Sequence, residues 1–187
     1  MLAGLITLLL ALSTPQGNEK PLGRTPVPSP RGDAESDASI NPRFNPSINP
    51  KVNASVNPRF NPWINPDRNT KISPKYNPLV NPRSTASLNP NSNRLLNPKA
   101  TGKFSGLRRL TPDSELVGFI VKTDNKAVLL LFDKDLQWTS FAVDNGQQGY
   151  NLFDPEGNWK GYLLKNAAGG LNEFNLEGDW LGFITDK

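Results

Sequence analysis

The stretch Phe153–Leu163, FDPEGNWKGYL, decides the fold of this chain, because four versions of it follow one another. A close copy, FNLEGDWLGFI, starts at Phe174, 21 residues later, and a weaker one, FDKDLQWTSFA, starts at Phe132, 21 residues earlier. The weakest copy, LTPDSELVGFI, starts at Leu110, another 22 residues upstream; it keeps the turn, the glycine and the aromatic residue but lacks the tryptophan. A fixed period of this length is typical of repeat architectures.

Each copy begins with a hairpin tip. Asp154–Gly157 suits a type I turn followed by a left-handed glycine, the three-residue hairpin loop with a bulge, and Asn175–Gly178 repeats it. Ser114 and Leu136 stand at the glycine position of the first two copies. Because a positive φ costs energy in a residue with a Cβ atom, we expect those two loops to differ.

Three positions recur on the strand after each tip, one usually tryptophan, one small and one aromatic; we call the four residues at each position a column. Alternation with period two places the tryptophan and small columns on one face and the aromatic column on the other. The small residues fit a crowded place near a barrel axis. The tryptophan column is Leu116, Trp138, Trp159 and Trp180, the small column is Gly118, Ser140, Gly161 and Gly182, and the aromatic column is Phe119, Phe141, Tyr162 and Phe183.

The repeat unit is offset by half a hairpin at both ends of this region. A lone strand near Leu107–Leu110 opens it, and a lone strand near Trp180–Thr185 ends it. Second turns at 124–125, 145–146 and 168–170 make the strands run up and down, giving eight in all. Pairing the two lone strands removes both sheet edges. Residues 107–187 are therefore predicted to form an all-β, small closed antiparallel barrel of four hairpins.

A second repeat precedes the barrel. Residues 40–99 read as fifteen tetrapeptides of pattern apolar-Asn-Pro-x in strict register. Asparagine and proline favour one turn per unit, while the prolines forbid a continuous helix or a paired central strand. Because a single turn buries too little apolar area to offset chain entropy, we predict a mostly flexible, disordered spacer. The alternative is an ordered ribbon of turns, and residues 100–106 form a linker.

The N-terminus indicates export. Residues 1–13 are an apolar run of the length of a signal-peptide core, too short for a membrane span. Its removal would leave a periplasmic, cell-surface or secreted protein without a transmembrane segment. The alternatives are a short amphiphilic anchor or a misassigned start codon. Residues 14–39, rich in proline, serine and charge, are predicted to be a disordered linker.

Charge divides the chain. Residues 40–110 hold twelve Lys or Arg and one acid, whereas residues 111–187 hold six Lys and twelve acids. A basic tract with interspersed aromatic residues suits a polyanion such as nucleic acid, anionic lipid or acidic glycan. The alternative is attraction to the chain's own acidic domain, or simple solubility. The candidate polyanion contacts are Arg43, Lys51, Arg59, Arg68, Lys71, Lys75 and Arg83.

Composition argues against catalysis. The chain contains no cysteine, which excludes disulfides and thiolate metal sites, and no histidine, the commonest general base and metal ligand. The carboxylates of the barrel region lie mainly at hairpin tips, where Asp and Asn are favoured for backbone reasons. We therefore predict a protein that is not an enzyme and has no catalytic residue, metal ion or cofactor. The tip carboxylates are Asp133, Asp135, Asp154, Glu156, Glu177 and Asp179.

The four hairpins, with the pattern aromatic-Asp-x-x-Gly-Asn-Trp-x-Gly-aromatic, resemble the four-fold β-flower domains. The resemblance covers about 80 residues and implies a shallow symmetric barrel, but no activity or catalytic residue. The choline-binding repeats of cell-wall proteins have a similar length, but their Trp-Tyr-Tyr cluster is missing here. The Asn-Pro turn is similar to tetrapeptide repeats of some parasite surface proteins, a likeness that does not extend to the rest of the unit.

These patterns predict a non-enzymatic exported protein that displays a binding or structural β-flower domain on a basic repeat spacer. One alternative is an envelope- or polyanion-associating structural protein with no small ligand, and another is a cell-wall glycan-binding module. Possible partners are a glycan, the envelope surface or another protein. The candidate ligand-binding residues are Trp138, Trp159, Trp180 and Tyr162, whose alternative role is a core layer.

Overall fold

A closed barrel of eight antiparallel strands occupies the C-terminal part of the chain. This computed structural model describes residues 34–104 and 106–186; the predicted signal segment 1–13 and linker residues 14–33 lie outside them. Each strand pairs with the next, and the first pairs with the last, which confirms the predicted closed barrel. The strands are β1 (Arg108–Leu110), β2 (Leu116–Lys122), β3 (Val128–Asp133), β4 (Trp138–Asp144), β5 (Gly149–Phe153), β6 (Trp159–Lys165), β7 (Leu171–Asn175) and β8 (Trp180–Thr185).

The barrel wall has two apolar faces. The inner face is aliphatic, and its buried residues are Ile120, Leu129, Leu131, Ala142, Leu152, Leu163 and Ile184. The outer face is aromatic, and its buried residues include Phe132, Phe141, Phe153, Tyr162, Phe174 and Phe183. An outer face of this kind needs a covering layer, because large exposed apolar patches are rare on soluble proteins.

The tryptophans lie on the outer face, so their predicted placement with the glycines is wrong. On β6, Gly161 pairs with Leu152 and Trp159 pairs with Phe153, which leaves Lys160 as the extra residue of a β-bulge. An extra residue reverses the alternation beyond it. Trp159 therefore packs in the aromatic layer with Phe153. The same register shift occurs on β2, β4 and β8.

The small column is crowded by the neighbouring strand, not by the barrel axis as predicted. A Cβ atom on Gly161 would lie 2.2 Å from the carbonyl oxygen of Phe174, and one on Gly182 would lie 2.1 Å from that of Leu110. Both distances are far below van der Waals contact. The glycines therefore permit the close approach of the bulged strand to its neighbour.

The first two hairpin tips take the same conformation as the others, which contradicts the expected difference. Ser114 has φ 65° and Leu136 has φ 61°, in the left-handed region that Gly157 and Gly178 also occupy. The amide of Leu136 donates to the carbonyl of Asp133 at 3.1 Å, as the amide of Gly157 does to Asp154 at 2.9 Å. Strand pairing on both sides of each tip imposes this positive φ, although it is energetically unfavourable for Ser114 and Leu136.

A buried ion pair joins the first strand to the seventh inside the barrel. Nε and Nη2 of Arg109 donate to the two carboxylate oxygens of Glu173 at 3.0 and 2.7 Å. Their side chains are only 17% and 9% exposed. Strand β8 lies between β7 and β1, so this bidentate pair spans it at Gly182, the residue opposite Glu173. In the middle hairpins the positions equivalent to Glu173 are Leu131 and Leu152. The charged pair therefore occurs only where the barrel closes, among the strands described.

Residues 40–99, which we call the belt, form a regular series of turns. An asparagine side chain stabilises the turn in thirteen of the fifteen tetrapeptides. Its Oδ1 accepts the amide of the second residue after it, at 2.8 to 3.2 Å. Its Nδ2 often links one turn to an earlier one, as Asn77 Nδ2 donates to the Lys71 carbonyl at 2.7 Å. The helical segments are Pro46–Ile48, Ala54–Val56, Pro78–Val80, Ala86–Leu88 and Arg94–Leu96, all 3-10 turns, and the α-helical turn α1 (Pro98–Thr101).

The structural unit of the belt is eight residues, because alternate tetrapeptides face inward and outward. Every inward apolar position is aliphatic and is buried or half-buried, whereas the outward position is mixed. The inward residues are Ile40, Ile48, Val56, Ile64, Ile72, Val80, Leu88 and Leu96. The outward residues are Phe44, Val52, Phe60, Arg68, Tyr76, Ser84 and Ser92.

The belt covers the aromatic face of the barrel and runs in the opposite order to the strands. Ala34, just ahead of the belt, packs with Leu110 and Phe183 where the barrel closes. Farther along, Ile48 packs with Tyr162. The later inward residues Ile72, Val80, Leu88 and Leu96 share one cluster with Phe132, Phe141 and Phe153.

The predicted flexible spacer over 40–99, and the predicted disorder over 34–39, are therefore wrong; the belt is an ordered ribbon of turns. One turn alone buries little, but the inward side chains together bury apolar surface against the barrel. Past the belt, the ring of Phe104 packs against that of Phe119 in a tilted pair with centroids 4.5 Å apart. Within residues 34–104 and 106–186, no helix has the length and apolar character needed to cross a membrane.

The two repeats match in register. Asn172 Nδ2 donates to the carbonyl of Ile40 at 2.5 Å, and Asn151 Nδ2 donates to that of Ile64 at 2.9 Å. The two asparagines are 21 residues apart, which is one hairpin, and the two isoleucines are 24 residues apart, which is three belt units. One hairpin of the barrel thus accommodates three eight-residue units of the belt.

Replacing Asn77 with aspartate tests the link between turns. The Asn77→Asp variant keeps the acceptor for the Leu79 amide but loses the donor to the Lys71 carbonyl. We expect the free energy of unfolding in urea to fall by about 1 to 2 kcal/mol. The control Asn45→Asp keeps the acceptor for Ser47, and Asn45 donates to no earlier turn among the described residues. Equal losses in the two variants would contradict this role.

Candidate ligand-binding surfaces

The predicted ligand-binding residues divide between the core and the surface. The indole Nε1 of Trp138 donates to the carbonyl of Ser140, and that of Trp159 donates to Gly161, both at 2.8 Å. Both rings are half-buried and pack in the aromatic layer. These two tryptophans therefore serve as packing residues tied to their own strands.

Tyr162 is buried, so it is not presented to a ligand at the surface. Its ring is 1% exposed and stacks on Phe174 with centroids 5.4 Å apart. Its hydroxyl has no hydrogen-bond partner among the described residues. Burial raises the pKa of Tyr162, and the nearby Asp179 carboxylate adds to this, while Arg59 opposes it. The hydroxyl is therefore uncharged at physiological pH.

Trp180 lines a cavity of about 410 Å³ at the seam between the belt and the tips of the barrel, which we call the seam cavity. The belt contributes cationic and aromatic side chains, and the barrel contributes the β7–β8 tip and the β1–β2 tip. Among the lining residues are Arg43, Phe44, Lys51, Pro112, Asp179 and Trp180. Predicted residues of both kinds, a tryptophan and two cations, thus meet in one place.

The charges of the seam cavity are partly compensated. Lys51 Nζ lies 2.5 Å from Asp179 Oδ1, and Asn175 Nδ2 donates to Asp179 Oδ2 at 2.9 Å. The hydrogen bond from Lys51, followed by that from Asn175, lowers the pKa of Asp179. Arg43, by contrast, forms no ion pair with any described residue. Its guanidinium is the cation of the cavity available to a ligand.

A second surface lies on the outward side of the belt, and we call it the belt face. In each of the eight inward tetrapeptides the apolar residue faces the barrel, but the fourth residue is exposed on this surface. Six of these eight fourth residues are basic: Arg43, Lys51, Arg59, Lys75, Arg83 and Lys99. Trp63, 72% exposed, lines a shallow groove of about 430 Å³ with Arg68 and Lys71. Nearby, Lys75 Nζ lies 5.3 Å from the ring centroid of Tyr76.

Two of the tip carboxylates, Asp133 and Asp154, accept hydrogen bonds from their own turns. Asp154 accepts the amide of Asn158 at 2.8 Å and its side-chain Nδ2 at 2.9 Å. Partial burial alone raises the pKa of Asp154, but the hydrogen bonds from Asn158 and the Glu156 backbone outweigh it, so the net pKa is lowered. Asp133 likewise accepts the amides of Asp135 and Gln137. Among the residues that the structure describes, no three acidic side chains converge to hold a metal ion.

Sequence reasoning missed the seam cavity, because its walls come from residues far apart in the chain. Phe44, Pro112 and Asp179 meet there only because the belt docks on the tips. A usable signal was present in the belt: aliphatic residues at every eighth position, with mixed residues between them. That alternation distinguishes a docked face from an exposed one.

Replacing Tyr162 with phenylalanine tests the cost of the unpaired hydroxyl. Phenylalanine stands at the equivalent positions 119, 141 and 183, and a buried unsatisfied polar group costs about 1 to 3 kcal/mol. We expect Tyr162→Phe to raise the free energy of unfolding by about 1 kcal/mol at pH 7.

The pH dependence provides a second readout for this variant. Because the folded pKa of Tyr162 is raised above its unfolded value of 10.0, this tyrosine makes the wild type lose stability as the pH rises through about 10. The variant should lose less over the same range. Lower stability of the variant at pH 7, or identical alkaline slopes, would contradict the assignment.

Comparison with protein-family models, with curated proteins and with solved structures finds no match to this chain.

Proposed function

We propose that this chain is a non-enzymatic binding protein whose belt face associates with a polyanion, and that residues 1–13 direct its export. The observation that carries the proposal is the groove in which the exposed Trp63 lies beside Arg68 and Lys71. An aromatic ring flanked by cations stacks on flat groups of a ligand while neutralising its charge.

The charge of the belt supports the same function. Asp67 is the one acid of residues 40–110, which hold twelve Lys or Arg. Arg68 and Lys71 form no ion pair with any described residue, unlike Lys51, which pairs with a hairpin tip. Arg68 and Lys71, in the middle of the belt face, are therefore available to bind anions. Lys51 instead neutralises an acidic residue of the barrel, Asp179.

The ordered belt changes the architecture on which this function depends. Residues 40–99 pack around the barrel, so they do not project it as a spacer would. The closed barrel of four hairpins supports its placement with the β-flower domains, which we retain as a proposal. In this arrangement the barrel is the support and the belt is the binding surface.

Binding of the full chain to fluorescently labelled heparin tests the proposal. The double variant Arg68→Gln/Lys71→Gln should bind about tenfold more weakly at 0.1 M salt and with a reduced salt dependence. The control Lys122→Gln/Lys165→Gln removes the same charge from exposed strand ends of the barrel. It should bind nearly as the wild type does.

Two results would overturn the proposal. Equal weakening in both double variants would show that net charge alone, not the belt face, governs binding. Binding that does not weaken as salt is raised would exclude an electrostatic contact. Anionic vesicles of phosphatidylserine and phosphatidylcholine, run in parallel, distinguish a lipid surface from a soluble polymer.

A further inference from the structure

We propose that the seam cavity binds an acidic sugar, a single ring that carries a carboxylate. This site is separate from the Trp63 groove, and the inference does not depend on polyanion binding. It rests on a cation that forms no ion pair with the described residues, on flat apolar side chains in the lining, and on polar acceptors suited to hydroxyl groups. It also rests on two buried polar atoms, one on Trp180 and one beside Gly178, that have no partner among the described residues.

The cation selects for an anionic ligand. Arg43 lines the cavity and forms no ion pair with the described residues. Guanidinium groups bind carboxylates with two parallel hydrogen bonds, which gives direction as well as charge. The other cation of the cavity, Lys51, is already bound to Asp179 at 2.5 Å. Arg43 is therefore the cation of the cavity to which a carboxylate would bind.

The apolar and polar linings favour a sugar over a purely apolar acid. Phe44 and Trp180 offer flat surfaces on which the C–H face of a sugar ring stacks. Asn49 and the carboxylate of Asp179 bring oxygen atoms that accept hydrogen bonds from hydroxyl groups. The volume of about 410 Å³ lies in the usual range for small-molecule sites.

The unsatisfied polar atoms set this hairpin apart from its sisters. Trp138 and Trp159 each donate Nε1 to their own strand, but Trp180 Nε1 is buried and has no partner within residues 34–104 and 106–186. The Tyr162 hydroxyl also has no partner in the described part of the chain, and it lies 3.4 Å from the position of a Cβ built on Gly178, a residue that lines the cavity. Packing against the aromatic layer holds the Trp180 ring, without the hydrogen bond to its own strand that its two counterparts make.

The chain carries one reporter for each surface among its four tryptophans. We would titrate the ¹⁵N-labelled full chain with D-glucuronate, using D-glucose as the neutral control, and follow the indole N–H signals by NMR. The Trp180 signal should shift in a saturable manner with a Kd in the millimolar range, about −4 kcal/mol. The Trp63 signal should not move, and glucose should bind at least about tenfold more weakly.

Two matched variants test the role of the cation. Arg43→Gln should weaken glucuronate binding about tenfold. Arg83→Gln changes the equivalent residue five belt units later, away from the cavity, and should leave binding unchanged. Both side chains are exposed, so neither change should affect folding.

Three outcomes would overturn the inference. The first is the absence of any saturable shift of Trp180 up to about 100 mM glucuronate. The second is equal binding of glucose, which would remove the carboxylate from recognition. The third is equal weakening by Arg43→Gln and Arg83→Gln, which would indicate diffuse charge. Because heparin binding is tested separately, with labelled heparin and the Arg68→Gln/Lys71→Gln variant, its success or failure does not decide this inference.

Discussion

The packing of aliphatic belt residues on the aromatic outer face of the barrel is the interaction on which the rest of the structure depends. An eight-stranded barrel this small fills its interior with residues such as Leu131 and Leu163, so its aromatic layer points outward and must be covered. Residues such as Ile72 and Leu88 cover it. The same contact orders the belt, because asparagine-held turns alone bury too little apolar surface to offset their entropy.

This interdependence explains which features can be read from the sequence. The four tips, the eight strands and the closure of the ring follow from local turn chemistry and from the half-repeat offset. The face of the sheet on which Trp159 lies cannot be read in this way, because one bulged residue, Lys160, reverses the alternation. The turns at Ser114 and Leu136 also escape a local argument, since strand pairing imposes a positive φ that their side chains disfavour.

The candidate sites were predictable only in part, for the same reason. The basic and aromatic character of the belt is visible in its composition, and Arg68 and Lys71 were among the predicted contacts. The seam cavity is not visible, because Arg43 and Trp180 come together only when the belt docks. In each eight-residue unit, the apolar residue of the inward tetrapeptide packs on the barrel, and the outward tetrapeptide is consequently held at the surface. The unit that stabilises the fold therefore also builds the binding surface.

The central claim is that belt and barrel fold as one unit, and hydrogen exchange of the intact chain followed by mass spectrometry tests it most directly. Belt amides such as those of Ile64 and Val80, which donate to the carbonyls of Asn61 and Asn77, should be protected and should open together with the barrel strands. Complete exchange of residues 40–99 at the earliest time point, with the strands still protected, would contradict the account.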